Sequence, residues 1–121
     1  MSDTSPTAVV PDEVQAIVDA LDDKRAKDIA VLDLSGVSES LDWFVLATGE
    51  SNLQLQALEE AVLERLKGMG RRPRGVEGPS QRWLLIDYGE LVVHLMSPEA
   101  RAFYDLEGLW ADADRLDVTP R

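Results

Sequence analysis

The chain contains no cysteine, so disulfides and thiol chemistry are excluded, and the absence fits a reducing cytoplasm. Its single histidine is His94. With one imidazole and no thiolate, a bound metal would fall to carboxylates, which favour magnesium or calcium. No segment alternates acids and closes on a glutamate as a calcium hand does. The pair Asp112 and Asp114 follows the last apolar periodicity, so no metal site and no cofactor are expected. No apolar run reaches the roughly 18 residues that suggest a membrane helix. Residues 1–11 lack the positive and then apolar pattern of a secretory signal. Positive charge is scarce as well, with 12 Lys and Arg against 23 Asp and Glu, a net charge of -11. Broad nucleic-acid binding needs a basic face that displaces counterions, so little direct nucleic-acid contact is expected. The same charge opposes anionic membranes and leaves a basic protein as the natural charged partner.

What is present suffices for one domain. The chain has 121 residues, 45% of them hydrophobic. Residues 1–11 hold Ser, Thr and Pro without periodicity and read as a flexible leader. Val14, Ile17, Val18 and Leu21 recur at helical spacing, with Asp12 and Glu13 in the first turn, where the helix dipole prefers anions. This first helix is expected to end near Arg25. Ile29 to Leu34 and Trp43 to Thr48 are short apolar runs closed by glycine, the pattern of strands buried on both faces. Ser51 and Gln54 have capping-box spacing. Leu55, Leu58, Val62 and Leu66 form the stripe of the helix that follows, and Gly68 and Gly70 end it. The cluster Arg71, Arg72 and Arg74 reads as a solvated turn. An extended piece from Pro73 to Glu77 leads to a turn at Gly78-Pro79-Ser80. Two runs, Arg82 to Asp87 and Glu90 to Met96, flank Tyr88-Gly89 as a tight antiparallel hairpin. Ser97-Pro98-Glu99 opens a last helix through Phe103, Leu106 and Trp110. Residues 113–121 read as a flexible tail. The order predicts an α/β fold: one domain over residues 12–112, with a mixed sheet of about five strands flanked by helices.

The chemistry of catalysis is thin. A serine triad would depend on His94, which sits within a strand and reads as structural. No glycine-rich loop opens a helix with a following lysine. Thr48-Gly49-Glu50-Ser51 does join a strand to a helix N-terminus, where an anion could sit. Nucleotidyltransferases use such a loop with a paired acid for magnesium. Here the acid pair is missing, and Glu50 would repel a phosphate. What remains is a surface candidate in the hairpin: Trp83, Asp87 and Tyr88, with Trp83 and Asp87 sharing one strand parity and so one face. An amphipathic aromatic beside a carboxylate suits a basic protein partner, if that face is uncovered.

An ordered set of motifs then carries a resemblance. It comprises Asp33-Leu34-Ser35-Gly36-Val37-Ser38, Leu41-Asp42-Trp43-Phe44-Val45-Leu46-Ala47-Thr48-Gly49, Val76-Glu77-Gly78, Trp83-Leu84-Leu85-Ile86-Asp87-Tyr88-Gly89, Val92-Val93-His94 and the run from Phe103 to Trp110. Together they resemble the ribosome silencing factor family, RsfS, related to plant Iojap, over about residues 12–112. The resemblance implies a fold akin to the nucleotidyltransferases in proteins not known as enzymes. It implies binding to the fourteenth protein of the large ribosomal subunit, steric blocking of small-subunit joining, and lowered translation under nutrient limitation. Related organellar proteins assist large-subunit assembly, and free members form homodimers. By position, the contact surface would involve Trp83, Asp87 and Tyr88. The family often has Thr where Glu50 stands, and Tyr88 is not always aromatic there. An assembly factor and a nucleotidyltransferase-like enzyme are the alternatives.

Overall fold

The computed structural model describes residues 8–80 and 82–121. Its elements run α1 (Asp12–Asp23), β1 (Lys27–Asp33), β2 (Trp43–Thr48), α2 (Asn52–Gly68), β3 (Gly75–Ser80), β4 (Trp83–Asp87), β5 (Leu91–Met96), α3 (Pro98–Tyr104), α4 (Leu106–Leu109) and β6 (Asp114–Leu116). The strands form one sheet in the order β3-β4-β5-β2-β1-β6. Among the described residues only β2 and β5 pair in parallel and the other pairings are antiparallel, so the sheet is mixed as expected. The parallel pair lies at the centre, and all six residues of β5 are buried.

Helix α2 shows how local chemistry sets an element. The Ser51 hydroxyl accepts from the Gln54 amide at 3.1 Å, and the Gln54 side chain accepts from the Glu50 amide at 2.7 Å. Two orphaned donors are thereby satisfied. The same Gln54 side chain donates to the carbonyls of Lys24 and Arg25, tying the start of α2 to the end of α1. At the far end Gly70 takes φ +80, and the amides of Gly70 and Arg71 return to the carbonyls of Lys67 and Leu66. That is the paired closure a left-handed glycine permits. Between the caps, Leu55, Leu58, Val62 and Leu66 are fully buried. Each such side chain contributes roughly 1.5–3 kcal/mol by leaving water.

Strand parity divides the core in two. Val31, Val45, Ala47, Leu84, Ile86, Leu91, Val93 and Leu95 pack beneath α1 and α2. Ala30, Leu32, Phe44, Leu46, Val92 and Met96 pack on the other face with Ala100 and Leu106.

Four features depart from the sequence-based expectation. Gly78-Pro79-Ser80 is not the turn: it lies within β3, where the register shifts between Glu77 and Ser80, and Ser80 pairs with Trp83. The last helix is two short ones, because Asp105 takes a left-handed φ of 44 that ends α3, while its side chain caps α4 by accepting from the Gly108 amide. The stretch expected as a tail contains β6, paired with β1, so the sheet has six strands among the described residues. Arg71 is not a solvated turn residue: its guanidinium bonds Glu13 and Glu90, each at 2.7 Å, and the Tyr88 carbonyl at 2.6 Å. It clamps α1 to the β4–β5 turn. Of the leader expected over residues 1–11, residues 1–7 lie outside the described residues.

Candidate docking face

The β4–β5 hairpin closes at Gly89, whose φ of +95 suits a residue without Cβ. The Gly89 amide donates to the Asp87 carboxylate at 2.7 Å, and the Tyr88 amide to the Leu91 carbonyl at 2.8 Å. Alternation along β4 then decides which side chain faces where. Leu84 and Ile86 enter the core under α1 and α2. Trp83, Leu85 and Asp87 point to the opposite face, and all three are half-buried. Asp87 lies about 13 Å along the strand from Trp83, so the two are ends of a row and not neighbours. Leu85 fills the middle of the row, and Glu77 of β3 stands directly across from it.

The row stays partly uncovered for a geometric reason. Helix α3 has seven residues and is about 10 Å long. With α4 it shields Phe44, Leu46, Val92 and Met96 over the sheet centre. Strands β3 and β4 are the outermost pair on one side of the sheet.

Trp83 is held firmly at the border of this cover. Its indole N–H donates to His94 Nδ1 at 3.2 Å. The Tyr104 ring lies 4.6 Å from the indole by centroids, at a tilt of 46°. His94 meets the Phe44 ring edgewise at 4.5 Å. The imidazole is 4% exposed, and burial pushes its pKa down to about 4. It is therefore neutral at physiological pH, and because Nδ1 accepts from Trp83, the proton resides on Nε2. His94 is a structural residue, as its place within a strand suggested, and one that orients Trp83. Among the described residues Asp87 forms no ion pair. Its charge remains available to a partner.

Tyr88 is not part of this surface, and the expectation for it is corrected. It has the parity of Leu84 and Ile86, and its side chain packs in the core with only 2% exposure. The Arg71 guanidinium carbon lies 5.6 Å from its ring centroid. Burial pushes its phenol up to about 12. A contact through this side chain would require the core to open. Sequence reasoning missed Leu85, although its parity with Trp83 and Asp87 was a usable signal.

The loop at Gly49 offers little to an anion. Two of the amides at this helix start already have acceptors, and Glu50 pairs with Lys27 at 2.9 Å. Among the described residues no group of three His, Cys, Asp or Glu is placed to hold a metal, and no helix is long and apolar enough to cross a membrane.

Fold and site together describe an α/β domain that presents a partly uncovered sheet face carrying an aromatic, an aliphatic and an acidic side chain. A family model described as "Ribosomal silencing factor during starvation" matches residues 7–121, and the chain belongs to that family. It is 36% identical over 105 residues to the ribosomal silencing factor RsfS of Zymomonas mobilis, covering 86% of this chain and 79% of that one. A crystal structure of a Chromobacterium violaceum protein superposes with a TM-score of 0.80 at 38% identity, covering 86% of this chain and 88% of the other. A mouse protein named for mitochondrial assembly of the ribosomal large subunit is 32% identical over 102 residues, which are 81% of this chain and 45% of that protein. Family members are named as silencing factors, a regulatory role and not a catalytic one.

Proposed function

We propose that this chain silences ribosomes by docking the Trp83-Leu85-Asp87 face on a basic protein of the large subunit, the fourteenth of its series. Bound there, it blocks the small subunit sterically and lowers translation under nutrient limitation. The reading places it in the cytoplasm, with a homodimer as its free form. The observation that carries it is the row of Trp83, Leu85 and Asp87 left half-covered on the sheet of a silencing-factor family member. The net charge of -11 supports a basic partner and keeps the domain off the surrounding RNA. Neutral, buried His94 supports the role by fixing the indole before the partner arrives, which lowers the ordering cost of binding.

The test is sedimentation of purified subunits with the protein. It should comigrate with isolated large subunits and reduce subunit joining. Failure to do either sinks the reading. Trp83→Ala and Asp87→Lys should each lose large-subunit binding with far-UV circular dichroism unchanged; retained binding by both moves the contact elsewhere. The printed name of the mouse relative favours a second reading, help in large-subunit assembly through the same docking. Incomplete large subunits accumulating in cells that lack the protein would favour it.

A further inference from the structure

We propose that the docking surface does not stop at the sheet but continues onto α3, where Phe103 with Glu99 forms a second aromatic–acid contact for the same basic protein partner. This rests on the docking reading above and extends it to residues that reading does not need.

Phe103 is 80% exposed. An isolated exposed apolar side chain is ordinary on a protein surface. Phe103 is not isolated. Its ring meets the Tyr104 ring edgewise at 5.0 Å, and Tyr104 in turn lies 4.6 Å from Trp83. The three rings make a continuous ledge from the end of β4 to α3. The inner end of the ledge is anchored in the core through Trp83 and His94. Its outer end therefore offers a large apolar area whose support is already ordered, which is how interface anchors gain affinity at low entropic cost.

Charge indicates the occupant. Glu99 precedes Phe103 by four residues on the same helix, so the two are neighbours on one face of α3. The row on β4 also carries an aromatic and an acid, Trp83 and Asp87, but at its two ends, about 13 Å apart. Glu99 does contact Arg82 at 3.5 Å, but both side chains are mostly exposed, and such a pair is worth little and exchanges readily. An arginine or lysine from a basic protein could cover the Phe103 ring with its cationic end while pairing with Glu99. A second copy of this chain matches Glu99 less well than a basic protein does, because its surface is mostly acidic, so the homodimer proposed for the free form is assigned to another face.

The experiment measures affinity for isolated large subunits, with Leu53 as internal control. Leu53 is 78% exposed on α2, on the other side of the sheet. Phe103→Ala should bind about tenfold more weakly, Phe103→Trp should restore most of the affinity, and Leu53→Ala should bind as the unmodified chain does. All should retain the same circular dichroism. If Phe103→Ala binds normally while Trp83→Ala does not, the extension onto α3 is wrong and the sheet-face reading survives. If neither variant weakens binding, the docking reading itself fails, and the extension with it. If Phe103→Ala leaves subunit binding unchanged and shifts only the monomer–dimer balance in analytical ultracentrifugation, the occupant is a second copy and the proposal is overturned.

Discussion

On one side of the sheet, α1 and α2 cover the inward-pointing residues of β4, β5, β2 and β1. On the other, α3 and α4 cover the centre and leave β4 half-shielded. The same strand thus serves two environments within consecutive residues. Leu84 is fully buried, while Leu85 is only half-buried. The difference separates two demands on one small domain. One face must supply most of the stability, and the other can keep apolar surface for a partner because the first already holds the fold.

The largest expected effect is on the closed face. Leu84→Ala should lower the free energy of unfolding by about 3 kcal/mol, the usual cost of emptying a fully buried leucine site. Urea denaturation measures it. A cost near zero would mean that the two faces do not differ as described. On the open face the order of effects reverses. Asp87→Lys should weaken large-subunit binding about thirtyfold or more, which corresponds to about 2 kcal/mol, because the charge offered to the proposed basic partner changes sign. Its urea midpoint should move little, since the Asp87 side chain holds only the Gly89 amide among the described residues.

A third prediction concerns the border, where the open face becomes dry. His94 faces Phe44, Trp83, Leu46 and Leu85, none of which carries charge. Burial holds its pKa at about 4, below the ordinary value of 6.5. The unfolded chain therefore takes up the proton first as pH falls. The stability that neutral His94 confers is complete above pH 6.5 and is lost between 6.5 and 4. Between pH 7.5 and pH 5 the loss is about 2 kcal/mol. Carboxylates add their own slope, so the comparison is with His94→Gln, whose stability should fall less over that interval by about the same amount. Equal slopes would mean that the imidazole is reached by water and that the cover over the sheet centre is looser than described.

How far the sequence foretold this arrangement depended on how local the controlling chemistry is. The second strand, Trp43–Thr48, was legible to its ends, because a run buried on both faces stands out from its glycine boundary. The cap at Ser51 and Gln54 and the hairpin at Tyr88-Gly89 were legible for the same local reason. The parity of Trp83 and Asp87 placed them correctly on one face. Tyr88 was misread because its position at the hairpin end suggested exposure, whereas parity sends it under Arg71. Arg71 was misread because its partners, Glu13 and Glu90, are remote in sequence. Strand β6 has three residues, two of them charged, and is defined only by its pairing with β1. The break at Asp105 depends on one left-handed residue that the spacing of Phe103, Leu106 and Trp110 does not reveal.

The smallest effect on stability comes from the residue beside the first. Leu85→Ala should cost less than about 1 kcal/mol, because a half-exposed side chain loses less burial and leaves no closed cavity. Its effect on docking should be larger than its effect on folding. Leu85 sits between Trp83 and Asp87 and opposite Glu77, so a partner that engages both ends of the row must cover it. Truncation there would leave a gap under the bound protein and weaken binding several-fold while the urea midpoint scarcely moves. Leu84→Ala should do the reverse, changing the midpoint strongly and leaving the affinity of the folded fraction unchanged. If the two neighbouring leucines gave the same pair of results, the division of labour between the faces would be absent, and the exposure of β4 would reflect a thin helical cover without a role in docking.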